Sequence, residues 1–562
     1  MLKKQKPTKI ETRNSKIVHS LRVSSFELRV SLAALLLSLL LTPTQASLAQ
    51  QQPEPGEQEL ARRITEIIGQ PEAARGFWGI EVYAPQRGRS LYSLNADRYF
   101  TPASVTKLFT TAAALDLLGP DHRFRTVVGT RGRIDREGYL HGSLFFVGAG
   151  DPDLAGCSLP YDPAKNREEP ACDVTAVLDR LAAQVAEKGV RAVSGDLVVD
   201  QTFFASEPHG TAWAVGDLTW GYGAPVRALS LGDNVLTVRV EPGERLDERA
   251  RITWEPPTRF YSLENRTRTA AAGAETLLYL RRDPGSRTLE ISGSIARDHK
   301  GRTLRVALEE PSEVIGELFR EALARRGIRV QGATGAEYAP SPPFTAQPPG
   351  SLPVVLAEHN SLPLLEDVRL INKNSQNLHA EMLMRLLGRL QPPRSRLRDR
   401  PRRLYEPPPR RADGSSEAGV EVLRAWLSNA GINPDDVAVR DGSGLSRSNL
   451  VTPQAVVELL KFAQKQPWGE LFRDSLPVAG LDGTLKERMK DQPTRARVRA
   501  KTGTLSDANA VAGYVETQAG ETLAFAIFVN HHRLDDRRVL ELIDTICAAL
   551  VDLPPPKNDK RK

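Results

Sequence analysis

The sequence predicts an α+β protein, an antiparallel sheet flanked by helices and interrupted in mid-chain by β-rich insertions. Three observations carry that expectation. Apolar residues recur at helical spacing in 101–118 and again from 362 to 465. Between these blocks, from about 125 to 350, short alternating strands punctuated by turns replace the helical pattern. The chain then closes with three strand-like segments and an apolar-striped helix. The two flanks, 55–124 and 355–553, read as one discontinuous domain.

The elements follow in order. A Pro/Gln/Glu linker, 50–58, precedes a helix at 59–68. Residues 78–83 and 90–94 read as two strands around the turn Pro85-Gln86-Arg87-Gly88. A helix over 101–118 starts at Thr101-Pro102 and stops at Gly119-Pro120. Strands are expected at 197–199, 235–240, 277–280 and 304–308, and a Pro-rich stretch at 340–353 closes the β-rich region. Residues 362–387 are helical in period. Residues 389–412, crowded with Arg and Pro, read as a disordered surface loop. Helices are expected at 418–430 and 453–465, strands at 497–502, 510–516 and 522–530, a helix at 535–550, and a disordered tail at 554–562.

Composition narrows the functional classes. The chain has 562 residues, 40% hydrophobic and 26% charged, which is ordinary for a globular protein large enough for several cores. Of its net charge of +7, residues 1–49 supply +6, from eight Lys/Arg against Glu11 and Glu27. The rest is nearly neutral, so the basic balance argues for no nucleic-acid partner. The same N-terminal stretch leads into an apolar run, 30–41, and then small residues at Ser47 and Ala49. That is the pattern of a signal peptide over 1–49, or of a retained N-terminal anchor, and it puts the bulk of the chain outside the cytoplasm. Of three cysteines, Cys157 and Cys172 lie in a polar stretch where an oxidising compartment favours one closed loop, worth roughly 3 kcal/mol. Cys547 lies in the apolar stripe of the last helix and reads as a buried thiol. Neither the cysteines nor the nine histidines form a metal-ligand pattern, so no metal and no cofactor are expected.

Three short motifs carry chemistry. In Ser104-Val105-Thr106-Lys107, Ser and Lys three apart on a helix face the same side. The first turn, with its free N–H groups, favours developing negative charge at Ser104. Lys107, its pKa lowered by partial burial and neighbouring cations, becomes a base for the Ser hydroxyl. Ser375-Gln376-Asn377 sits between two helical segments, giving Ser375 as a proton relay beside Lys107 and Asn377 as an amide for Lys107 and a substrate carbonyl. Lys501-Thr502-Gly503-Thr504 falls at the end of a strand pattern. There Gly503 admits close approach of substrate backbone, Lys501 adds charge near a terminal carboxylate, and Thr502 and Thr504 offer it hydroxyls. Each motif alone reads as well as a cap, a junction or a turn. Their joint order, on helix start, helix junction and strand, does not.

Together they match the Ser-x-x-Lys, Ser-Asp-Asn and Lys-Thr-Gly set of β-lactamases and penicillin-binding proteins, with Gln376 in place of Asp. The long interval between Ser104 and Ser375 resembles the D-alanyl-D-alanine carboxypeptidase/D,D-endopeptidase family typified by penicillin-binding protein 4, whose members carry inserted domains there. The stretches 150–154, 194–197, 222–225, 441–446 and 479–485 are similar to that family as well. The resemblance implies a serine β-lactamase/transpeptidase-like domain with an inserted domain II at 125–152 and 233–354, and a nested domain III at 153–232. It implies a Ser104 acyl-enzyme, Lys107 as base, Ser375 as relay, and the backbone N–H groups of Ser104 and Thr504 as an oxyanion hole. It further implies peptidoglycan stem peptides and β-lactam antibiotics as partners, and a periplasmic or cell-envelope location. A catalytically lapsed wall-binding or β-lactam-sensing protein, or a β-lactamase or esterase, are the alternatives.

Weaker features complete the reading. The 389–412 loop offers weak association with an anionic wall polymer or membrane surface, although a solvated insertion suits it better. Trp213, Trp220 and Tyr222 read as core or domain-interface packing rather than as a sugar platform. Asp151 and Asp153 read as turn caps rather than as a paired carboxylate site.

Overall fold

The computed structural model describes residues 54–164, 173–338, 354–389 and 412–556. The segment 1–49 expected as a signal peptide, Cys172, the Pro-rich stretch and nearly all of the Arg/Pro-rich loop lie outside the described residues. Among the described residues no helix is long and apolar enough to cross a membrane.

The flanks meet in a five-stranded antiparallel sheet with strand order Arg89–Leu94, Phe77–Ala84, Thr522–Asn530, Ala508–Glu516, Val498–Leu505. Its central strands are buried on both faces, which is why they read as near-continuous apolar runs. Alternation sends Val511, Phe525 and Ile527 to one face, under the helices Pro55–Ile68 and Asp536–Val551. It sends Ala510, Ala512, Ala524 and Ala526 to the other, under Lys107–Leu118 and Pro453–Gln464. Small side chains on that second face let the segment Ala103–Thr106 approach the sheet closely.

The expected elements of both flanks form, with ends displaced by a few residues. The first helix begins at Pro55 rather than 59, because proline suits a first helical position and the Glu54 N–H donates to Glu57 Oε2 at 3.3 Å. The helix expected over 101–118 is an α-helix only from Lys107; Ala103–Thr106 form a tighter 3₁₀ turn, with Ala103 at a positive φ of 46°. The strand carrying Lys501 continues through Leu505, so that motif lies inside the strand, not at its end.

The insertion departs further from expectation. It contains two helices, Ala176–Glu187 and Pro311–Arg325, that strand-like neighbours had masked. The strand Leu197–Asp200, expected within nested domain III, pairs in parallel with Leu144–Val147 and with Thr334–Glu337. All three share a sheet with Arg125–Thr130 and Val354–Asn360. The boundary expected at 153 therefore cuts through one sheet. The segment interposed between Asp200 and Pro311 instead carries two three-stranded sheets, Arg251–Glu255/Val235–Glu241/Arg302–Ala307 and Ser262–Ala270/Thr288–Ala296/Leu277–Arg281. Val199, Phe319, Leu236, Val238 and Ile291 belong to one apolar cluster, so these sheets share a core. Cys157 is disulfide-bonded, as its position suggests, while its expected partner Cys172 lies outside the described residues; Cys547 is free and buried.

A buried ionic network fastens the insertion to the sheet domain. His379, fully buried on the helix Asn377–Arg389, meets Asp367 Oδ1 at 3.0 Å and Asp233 Oδ1 at 3.1 Å. Asp233 in turn holds Arg305 at 2.6 Å. Burial disfavours the imidazolium, but the two carboxylates outweigh it and push His379 up to about 10. Asp151 and Asp153 lie in the same electrostatic environment. Asp151 Oδ1 accepts from the Asp153 N–H at 3.2 Å, as a turn cap should, yet both are nearly inaccessible and Asp153 is pushed up to about 7 by burial.

His379→Ala strips the partner from two buried carboxylates, and urea unfolding at pH 7 is expected to show a loss of roughly 3–5 kcal/mol. The folded protein holds the His379 proton to about pH 10, against an ordinary value of 6.5. The network therefore contributes fully below pH 6.5, and its contribution is lost as pH rises through about 10. The gap between wild type and variant should narrow over that interval.

Candidate active site

The structure brings all three motifs together. Ser104 sits partly exposed in the 3₁₀ turn, and Lys107 opens the following helix fully buried. Lys107 Nζ lies 2.9 Å from Ser104 Oγ, 2.7 Å from Asn377 Oδ1 and 2.5 Å from the Ser443 carbonyl. One buried amine thus joins the Ser104 turn, the second motif and the 441–446 turn.

The second motif is built by a broken helix. Leu364–Asn374 ends at Ser375, which takes a left-handed conformation (φ 58°), and Asn377 starts the next helix. The break turns Ser375 outward and leaves Asn377 pointing at Lys107. Ser375 Oγ accepts from Lys501 Nζ at 2.9 Å, so the strand lysine joins the surroundings that the sequence assigned to Lys107 alone. One turn beyond Asn377, the buried Glu381 accepts the Ser443 N–H at 2.8 Å, which aims the carbonyl of that residue at Lys107. Burial, with Asp441 nearby, pushes Glu381 up to about 7.

The third motif lies on the sheet edge. The Val498 carbonyl accepts from Ala479, and the Ala500 N–H donates to Pro477. Strand alternation therefore turns the backbone groups of Thr502 and Thr504 toward the same edge. Beyond Lys501 that edge has no neighbouring strand among the described residues. Lys501 is fully buried and its Nζ also donates to the Thr502 carbonyl at 2.9 Å. Thr502 Oγ1 donates to Thr484 Oγ1 at 2.7 Å, and the exposed Thr504 accepts from Asn509 Nδ2 at 3.3 Å. Gly503 has a different cause from the one its sequence suggests. A Cβ there would lie 2.6 Å from the Pro102 carbonyl and 3.2 Å from the Ser104 nitrogen. Its missing side chain admits the turn that carries Ser104.

Several contributors were not assigned a role from sequence. Ser443 acts through a backbone carbonyl, which no residue-type pattern reveals. Asp441 accepts from the Gly444 and Ser446 N–H groups, from Asn449 and from Trp213 Nε1, so it rigidifies that turn and ties the insertion to it. Of the two packing readings, core or interface, Trp213 takes the interface one. Tyr222 is 49% exposed rather than packed away, and its carbonyl accepts from Asn377 Nδ2 at 2.8 Å. The buried Lys373 pairs with Asp482 at 2.6 Å beside Thr484. Among the described residues no cluster of His, Cys, Asp and Glu could hold a metal ion.

A hydroxyl on a 3₁₀ turn, a contacting amine and an open strand edge thus stand side by side. Comparison with known proteins identifies the family. The model of the D-Ala-D-Ala carboxypeptidase 3 (S13) family matches residues 60–398 and 409–550. The chain is 34% identical over 485 residues to a D-alanyl-D-alanine carboxypeptidase of an Actinomadura species, covering 84% of this chain and 81% of that one. It is 26% identical over 447 residues to the D-alanyl-D-alanine carboxypeptidase DacB of Haemophilus influenzae, covering 79% and 83%. Its fold matches the crystal structure of penicillin-binding protein 4 from Haemophilus influenzae with a TM-score of 0.69 at 23% identity, over 87% of this chain and 98% of that chain. The chain belongs to the D-Ala-D-Ala carboxypeptidase 3 (S13) family.

Proposed function

We propose that the protein hydrolyses the terminal D-Ala-D-Ala bond of peptidoglycan stem peptides through an acyl-enzyme on Ser104. The observation that carries this is the 2.9 Å contact between Lys107 Nζ and Ser104 Oγ, with the amine held from behind by Asn377 and the Ser443 carbonyl. With a charged lysine the amine donates; with a neutral amine the same contact runs the other way, and Nζ accepts the hydroxyl proton.

In this reading Ser104 Oγ attacks the carbonyl between the two D-alanines and Lys107 takes its proton. The oxyanion gathers the N–H groups of Ser104 and Thr504. The outward alternation of Thr504 and the closeness of Gly503 to the Ser104 nitrogen support that pairing. The proton passes by way of Ser375, itself oriented by Lys501, to the departing D-alanine amine as the C–N bond breaks. Lys501, with the hydroxyls of Thr502 and Thr504, receives the terminal carboxylate, and Asn377 receives a carbonyl of the donor peptide. Water then cleaves the ester and regenerates Ser104. A cross-linked peptide presents the same scissile bond, so D,D-endopeptidase action follows from the same chemistry. β-Lactams acylate Ser104 by the same attack. Export by the segment 1–49 would place this activity in the cell envelope.

Incubation with a penicillin followed by intact-mass measurement is expected to show one stable adduct on the wild type and none on Ser104→Ala. Absence of both adduct and β-lactam hydrolysis on the wild type would refute the reading, and hydrolysis without accumulation would favour a β-lactamase. Lys107→Met should slow acylation by roughly 10²–10⁴-fold, read from the rate of adduct formation. Gly503→Ala pushes a methyl group against the nucleophile turn, and a displacement of that kind is expected to slow acylation by about 10²-fold. Its melting temperature should fall much less than its rate.

A further inference from the structure

A cavity of about 490 Å³ opens beside the second motif, a volume in the ordinary range of small-ligand sites. Ser375 and Asn377 line one side of it. The strand Arg302–Ala307 and the turn at Trp220–Tyr222, both from the insertion, line the other. Asn377 stands between this cavity and the reacting centre, since its Oδ1 faces Lys107 and its Nδ2 meets the Tyr222 carbonyl. A donor peptide whose scissile carbonyl lies at Ser104 and whose chain runs back past Asn377 enters the cavity.

The two arginines of this wall differ in charge balance. Arg305 is neutralised by Asp233 at 2.6 Å. Arg302 is exposed at the start of the same strand and makes no ion pair among the described residues. The cavity therefore presents one uncompensated guanidinium, the side chain best shaped for two parallel hydrogen bonds to a carboxylate.

We infer that Arg302 is a specificity-determining residue that binds a carboxylate carried by the donor peptide upstream of the scissile bond. The inference rests on the acyl-enzyme reading above and adds what the inserted segment selects: donors with a free carboxylate over those in which it is amidated. Because Arg302 is exposed, the selection is modest, roughly five- to tenfold in kcat/KM.

The test compares two D-Ala-D-Ala peptides identical except that an upstream γ-linked D-glutamyl residue bears its α-carboxylate or the carboxamide. The readout is the ratio of kcat/KM for the two peptides within each protein, which cancels any general loss of activity. Penicillin adduct formation on Ser104 reports that each protein is folded and competent. Wild type is expected to prefer the carboxylate by roughly five- to tenfold, Arg302→Lys to keep part of that preference, Arg302→Gln to bring the ratio to one, and Arg302→Glu to invert it. A wild-type ratio of one, or a ratio that Arg302→Gln and Arg302→Glu leave unchanged while adducts form normally, overturns the inference alone. A wild type that neither forms an adduct nor hydrolyses the penicillin overturns the acyl-enzyme reading and the inference with it.

Discussion

The buried amine of Lys107 is the interaction on which the rest of the site depends. A lysine with no accessible surface needs polar partners, because an unsatisfied buried cation is far too costly to retain. Its partners come from segments far apart in the chain: Ser104, Asn377 and the Ser443 carbonyl. Satisfying one amine therefore fixes the Ser104 turn against the second motif and the 441–446 turn. The surrounding contacts serve the same end. Glu381 holds the Ser443 N–H, Asp441 rigidifies the turn, and Thr110 donates to the Gly442 carbonyl at 2.8 Å. The sheet contributes space, through Gly503 and its run of small alanines, and one contact to the second motif, from Lys501 to Ser375.

The insertion is part of this arrangement. It supplies the Tyr222 carbonyl to Asn377 and Trp213 to Asp441. It also supplies Asp233, which reaches His379 two residues beyond Asn377. The second-motif helix is thus gripped from the insertion side by hydrogen bonds and by a buried ionic network. A substitution deep in the insertion can consequently displace Asn377, which faces Lys107, with no contact of its own to either.

Much of this was legible in the sequence, and the parts that were not share physical causes. Ser104 with Lys107, Ser375 with Asn377, and Lys501 through Thr504 stand out because their residue types fall at spacings that helices and strands fix, and the structure brings them together. The strands Val235–Glu241 and Thr522–Asn530 fall where alternation and apolar runs put them. The helices Ala176–Glu187 and Pro311–Arg325 were missed because strand-like neighbours dominated the local pattern. The nesting of the insertion was misread because the pairing of Leu197–Asp200 with Thr334–Glu337 joins segments over a hundred residues apart, which no local period records. Ser443 escaped because its contribution is a carbonyl that any residue carries. Gly503 was recognised as a point of close approach, but what approaches it depends on tertiary packing. The burial of Asp151, Asp153 and His379 was likewise invisible, since charged residues in sequence read as solvated until their partners are known.

The central claim is that the Lys107 amine, held by Asn377 and the Ser443 carbonyl, takes the proton of Ser104. The most direct measurement is the pH dependence of penicillin acylation when Lys107 is replaced by its γ-thia analogue, made by aminoethylating a Lys107→Cys variant. The analogue restores the amine at the same position with a lower intrinsic pKa. The account predicts that acylation, lost in the cysteine variant, returns on aminoethylation with the rising limb of its pH–rate profile moved to lower pH. Acylation at the wild-type rate by the unmodified cysteine variant, or recovery with no movement of that limb, would contradict it.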